Sequence, residues 1–254
     1  RAHTRWKARR ATYRAPVARP GGPGEDGGGG EWALAGLDLS AGDCQIAPGA
    51  RGALESELHR LDPGEVLVPQ ALYEETGLRP VWQGLNAAIA PLSRELFDST
   101  AAARRLRDYF NVAALEAYGD FSRPELAAAG ALIAYVDMTQ AGQRAAVSPP
   151  RRLAPGAIMQ IDPATRANLE LTRTMRGEAS GSLLSAIDRT VTPAGARALS
   201  DRLSGPLTDP ATINSRLDAV EWLLEEERLR GDLRARLAAS ADLARALSRL
   251  ALGR

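Results

Sequence analysis

The sequence predicts an α/β block followed by an all-α segment. Three observations carry this reading. Short apolar runs at strand spacing alternate with helical runs over the first half; apolar residues beyond Pro149-Pro150 recur at three- and four-residue intervals; and Asp-Pro or Thr-Pro pairs punctuate that second half as helix starts.

Taken in order, residues 1–20 carry Arg1, Arg5, Lys7, Arg9, Arg10, Arg14 and Arg19 without an acidic residue, then run into Pro20-Gly21-Gly22-Pro23-Gly24 and Gly27 to Gly30. Such a stretch buries too little apolar surface to offset its backbone entropy, so residues 1–30 are expected to be a flexible basic and Gly-rich tail and linker. Ordered structure is expected to begin at Glu31. From Trp32, the residues Ala33, Ala35, Leu37 and Leu39 alternate with Trp32, Leu34 and Asp38, the two-residue period of a strand. Ala41-Gly42-Asp43 supplies a turn, and Cys44-Gln45-Ile46 returns as hairpin partner. Leu54, Leu58 and Leu61 mark a helix stopped by Asp62-Pro63-Gly64, and Glu65-Val66-Leu67-Val68 is a short buried strand. Strand, helix and strand in this order predict a crossover unit in a mixed sheet.

Asp98-Ser99 is placed to cap a helix running through Ala102, Leu106 and Tyr109 to Phe110, and a second helix starts at Ser122 with Pro124 in its first turn and ends near Gly142. Ser148-Pro149-Pro150 marks a boundary, giving an α/β domain over 31–147 and a helical segment over 148–254. In the latter, Asp162-Pro163, Thr192-Pro193 and Asp209-Pro210 each pair a capping side chain with a proline at the first helical position, and Gly205-Pro206 closes a helix. Leu217, Leu223, Leu224, Leu233, Leu237, Leu243, Leu247 and Leu250 form the stripe of amphipathic helices.

Composition excludes several classes of function. The 254 residues hold 32 basic and 31 acidic side chains, a net charge of +1, so no whole-chain electrostatic footprint for nucleic acid exists. A single cysteine, Cys44, rules out an internal disulfide and fits a reducing compartment. No run approaches 18 apolar residues and no apolar stretch marks a signal peptide, so a cytoplasmic protein without membrane contact is expected. Lys7 is the only lysine and follows no glycine-rich turn; a Walker loop needs both, so nucleotide binding by that route is excluded. With only His3 and His59, a histidine metal site or serine-histidine pair is poorly supplied.

Asp38, on the first strand of an α/β unit, stands where RNase H-like nucleases place a metal-binding carboxylate. Two cations about 4 Å apart need several clustered carboxylates, and nothing in the sequence brings Glu57 or Asp98 to Asp38. Arg104, Arg105 and Arg107 on a helix, and Arg151 and Arg152 in the linker, fit solvated surface better than a DNA site. Glu225, Glu226 and Glu227 with Arg228 and Arg230 read as a solvated helix end, His59 as a helix edge, and Cys44 as a small strand residue. No catalytic, cofactor-binding or metal residue is assigned.

One stretch is more specific. Ile161-Asp162 with Thr165-Arg166-Ala167-Asn168-Leu169-Glu170-Leu171, Gly181-Ser182-Leu183-Leu184 with Asp188-Arg189-Thr190, Gly195-Ala196-Arg197 with Leu199, then Pro206-Leu207 and Arg216-Leu217-Asp218-Ala219-Val220 follow one another over residues 159–220. Several pieces in fixed order outweigh any one short pattern. Together they resemble the start of the core, or lever, domain of the bacterial MutS family of DNA mismatch repair. Upstream, Trp32 to Ser40, Glu65-Val66-Leu67-Val68, Phe97-Asp98, Tyr109-Phe110 and the helix from Ala128 to Gln140 resemble that family's connector domain, which has an RNase H-like fold and is not a nuclease. Residues 8–20 resemble the seam before it, and residues 1–7 match nothing.

The resemblance implies a fragment of a MutS-like protein, connector plus the first lever helices, that relays conformational change and offers a docking surface for MutL. The parent family binds mismatched double-stranded DNA, uses ATP and Mg, and acts as a homodimer. Its mismatch-reading Phe-x-Glu is absent here, because Phe97, Phe110 and Phe121 are followed two positions on by Ser99, Val112 and Arg123. The missing wedge implies no mismatch discrimination by this chain, and the missing Walker loop implies no enzymatic activity and no cofactor in it. The alternatives are an RNase H-like metal-dependent nuclease using Asp38 and an unrelated helical protein-interaction scaffold.

Overall fold

A computed structural model describes residues 13–18, 32–49, 51–140, 145–154 and 156–251. The described residues form two compact units. The first takes those up to Leu54, then Leu61–Leu153 and those from Leu247 onward; the second takes Glu55–Arg60 and Ala154–Ala246.

The first unit is a mixed sheet with helices. Strand β1 (Tyr13–Ala18) pairs antiparallel with β2 (Trp32–Asp38), which pairs antiparallel with β3 (Asp43–Gly49) in the register Trp32↔Gly49 to Asp38↔Asp43. After α1 (Leu54–Leu61), strand β4 (Glu65–Pro69) lies parallel to β1, and β5 (Ala88–Leu92) lies parallel to β4. Between β4 and β5 run α2 (Gln70–Glu74) and α3 (Arg79–Gly84), a crossover for which the sequence reading assigned no elements. A two-residue strand, β6 (Arg151–Arg152), adds to β3, giving the order β5-β4-β1-β2-β3-β6.

β1 corrects the expectation that ordered structure begins at Glu31. It occupies an interior position of the sheet, although Pro16 lacks the N–H that an interior strand donates. The pairs Tyr13↔Asp38 and Arg14↔Leu37 lie on one side of that proline, Val17↔Leu34 and Ala18↔Ala33 on the other. A proline inside a six-residue strand, set in an arginine-rich segment, hides the strand from periodicity. The remainder of residues 1–30 lies outside the described residues.

β2 is buried along its whole length rather than on one face, which the alternation of apolar residues and Asp38 had not implied. Its position between β1 and β3, with α5 (Arg123–Thr139) on the sheet, explains the difference. α5 packs on β1, β2 and β3 and also against α4 (Ser99–Phe110), so it is buried nearly all round and carries small residues from Ala127 to Ala131. Leu132, Ile133 and Val136 are fully buried there, each contributing about 1.5–3 kcal/mol relative to exposure. Asp98 caps α4 by accepting from Ala101 N at 2.7 Å, as the sequence predicts. α5 starts after Ser122 and is followed by Gln140; Gly142, its expected end, lies outside the described residues.

The second unit is helical: α6 (Pro163–Asn168), α7 (Leu183–Ile187), α8 (Pro193–Ser204), α9 (Pro210–Glu225) and α10 (Glu227–Ala239), with α11 (Leu243–Ala251) starting in it. The three proline-marked starts hold. Asp162 accepts from Thr165 N, Thr192 from Gly195 N and Asp209 from Thr212 N, each supplying a partner to an otherwise orphan donor. Met159 N donates to the Pro206 carbonyl at 2.8 Å and Thr208 N to that of Ala157 at 3.2 Å, around the bridge Ile158↔Leu207.

The expected boundary at 147/148 meets a different chain path. Ser148-Pro149-Pro150 lies within the first unit, which retains β6 and extends to Leu153. Local composition marked the prolines, but the pairing that holds them is with residues about a hundred positions earlier.

Candidate functional site

Asp38 sits at the end of β2, where the chain turns back. Its Oδ1 accepts from Ser40 N at 2.8 Å and from Ser40 Oγ at 2.7 Å, while its carbonyl accepts from Gly42 N. The side chain is thus the hub of an Asx turn and only 1% exposed. The carboxylates weighed as its companions do not join it: Asp98 caps α4, and Glu57 accepts from Arg60 Nε at 2.6 Å. Among the described residues no group of three or more His, Cys, Asp or Glu is arranged to hold a metal ion. Burial and the two Ser40 hydrogen bonds on Oδ1 give Asp38 a part in holding the β2–β3 turn.

The arginines divide. Arg104 and Arg107 are exposed, as the sequence predicts for a solvated face. Arg105 instead donates through Nη1 to the Gly130 carbonyl at 2.9 Å, tying α4 to α5. Arg151 is exposed, but Arg152 donates through Nε to Glu125 Oε1 at 2.6 Å. Glu125 is wholly buried, and its other oxygen accepts from Ser122 N at 2.7 Å, completing the capping box of α5. Sequence reasoning missed this pair. The Ser122–Glu125 spacing was a usable signal; the 27-residue link to Arg152 was not.

Cys44 is buried in β3, and burial, with the charge of Asp43 added, pushes its thiol up to about 12. Such a thiol is a packing residue rather than a nucleophile. In the second unit Arg197 grips Asp242 with both Nη atoms, at 3.0 and 3.2 Å, and holds that carboxyl below the usual range. Arg166 donates to the Ser204 carbonyl at 2.8 Å; burial and then the charge of Arg60 lower its pKa.

α6, α8 and α9 each begin with proline and spend an Asp or Thr side chain on their own first-turn N–H groups, so these helix ends present no free anion cradle. The one lysine, Lys7, lies outside the described residues. No helix among the described residues is long and apolar enough to cross a membrane.

What the second unit does present is apolar surface. On α9 Leu217, Val220, Trp222 and Leu224 are exposed, Trp222 to 53%, and on α10 Leu229, Leu233 and Leu237 are exposed. The predicted leucine stripe is not set off as one face: α9 and α10 are exposed on nearly every side, and these leucines are exposed with the rest. Scattered exposed leucines are ordinary, but seven large apolar side chains exposed on two consecutive helices make a substantial apolar surface.

These features define a class: an α/β unit joined in sequence to a helical one, with some charged side chains pinning the fold and two helices that carry exposed apolar residues. Residues 17–148 match the family model of MutS domain II, and residues 164–254 that of MutS domain III. The chain is 49% identical over 247 residues to the DNA mismatch repair protein MutS of Azorhizobium caulinodans, a match covering 97% of this chain and 26% of the relative. It is 50% identical over 248 residues to the protein of the same name from Rhodopseudomonas palustris strain HaA2, covering 97% of this chain and 27% of that one. The chain therefore belongs to the MutS family of DNA mismatch repair proteins, and it spans 26 to 27% of the length of these curated relatives.

Proposed function

We propose that this chain supplies the connector and the first lever helices of a mismatch repair protein, relaying conformational change rather than performing chemistry. The observation that supports it is the pairing of a buried, tightly cross-linked α/β unit with helices that carry exposed apolar residues. A block with a core such as Leu37, Leu67, Leu132 and Ile133 moves as a body, and stiff helices carry its displacement. On this reading the parent protein binds mismatched double-stranded DNA as a cytoplasmic homodimer and uses ATP with Mg, while the residues here bind neither nucleotide nor metal.

The α/β unit is also proposed to carry a docking surface for MutL. Retention of the 254-residue chain on immobilised MutL from a MutS-bearing relative tests this. Retention that the separately expressed full-length MutS competes away supports the reading; no retention overturns the docking surface.

A further inference from the structure

The chain between Ala145 and Leu153 is fastened to the first unit at four separate points. Tyr109 donates its hydroxyl to the Ala145 carbonyl. Ser148 N donates to the Gly42 carbonyl at 2.7 Å, and Leu153 N to that of Ile46 at 2.8 Å, with Gln45↔Arg151 and Ile46↔Arg152 in register between them. At Gly42, where φ is +71°, an added Cβ would lie 2.0 Å from the Ala146 carbonyl oxygen, so the hairpin turn and this segment touch backbone to backbone.

The fourth point differs in kind. Backbone hydrogen bonds at a sheet edge are replaced by water when the edge opens, so their net loss is small. Glu125 is wholly buried while the Arg152 side chain is 38% exposed. Lifting the segment would return the guanidinium to water and leave the buried Glu125 carboxylate with its Ser122 N–H but no opposite charge, which is the costly half of a broken pair.

We infer that residues 145–153 are a strap belonging to the first unit, latched on the β3 edge by the Glu125–Arg152 pair, and that the strap releases as one piece when that pair breaks. A pull on the chain beyond Leu153 is then borne by the latch before it reaches the core. This stands independently of the MutL proposal and of any relay in the parent protein.

Hydrogen exchange on the full chain tests it. In Arg152→Leu the amides of Ser148 and Leu153 should exchange at least tenfold faster, while those of Leu34 to Leu37 in β2 change less than twofold. Adding Glu125→Gln should restore global stability without restoring strap protection. Should Arg152→Leu not fold, Arg152→Lys keeps the charge without the planar fork and should give a smaller acceleration confined to the same two amides. Strap amides that keep their protection, or strap and β2 amides that accelerate in parallel, would overturn the latch.

Discussion

Gly130 of α5 and Ala102 of α4 meet with no room for a side chain: a Cβ added at Gly130 would lie 2.3 Å from the Ala102 Cβ and 2.7 Å from its Cα. The Arg105 guanidinium bonds the Gly130 carbonyl beside this crossing. Glycine inside a long helix is unfavourable in itself, by about 1 kcal/mol against alanine. Its presence here sets the distance between two helices of the α/β block.

Gly130→Ala is accordingly expected to destabilise the chain by about 1–3 kcal/mol, as overpacking does, although propensity alone favours the change. Urea unfolding checks the sign. Ala102→Gly in the same background should recover part of the loss, because it removes the nearer contact and leaves the backbone one.

Cys44 offers a second check, as the chain's single cysteine. Its buried thiol, pushed up to about 12, should react with a maleimide only when the first unit opens. An unfolded thiol titrates near 8.5, so between about 8.5 and 12 the unfolded chain gives up a proton that the folded one keeps. Stability should therefore fall as pH rises through that window, and Cys44→Ala should flatten the fall.

The acid limb is set by the second unit. Asp162 and Asp209 are held below the usual carboxylate range first by the Thr165 and Thr212 side chains, and Asp242 first by its hydrogen bond from Arg197. Depressed folded values mean that this stabilisation is complete above the unfolded pKa, near 4, and is lost as pH falls through the folded values. Helical circular dichroism followed from pH 6 downward should hold to about 4 and then decline. In Asp242→Asn the decline should be shallower.

How much of this was legible follows from range. The caps at Asp98, Asp162, Thr192 and Asp209 were readable because a cap is settled within four residues, and each accepts its expected first-turn N–H. β1 was not, since Pro16 and its arginine neighbours disguise a strand that depends on β2 and β4 for pairing. Arg152 read as surface because its partner is fixed by the β3–β6 register and not by local sequence. Asp38 read as a possible metal ligand because Asx-turn and ligand carboxylates share a residue type; only its contacts with Ser40 separate them.

The uncovered leucines give a further expectation. Expressed alone, the chain should self-associate through α9 and α10 and bind a hydrophobic dye, with mass rising with concentration in light scattering. Leu217→Gln with Leu224→Gln should reduce both signals while changing stability by no more than about 0.5 kcal/mol each, because these side chains are already 59% and 65% exposed. Monomeric behaviour at all concentrations, with no dye uptake, would contradict association through this apolar surface.

The most direct measurement is a titration of the purified chain with matched and singly mismatched duplexes of one sequence, at fixed salt. A part that transmits motion without reading DNA should show equal affinity for both, weak and falling steeply with salt. A clear preference for the mismatched duplex would place recognition within these 254 residues and contradict the account.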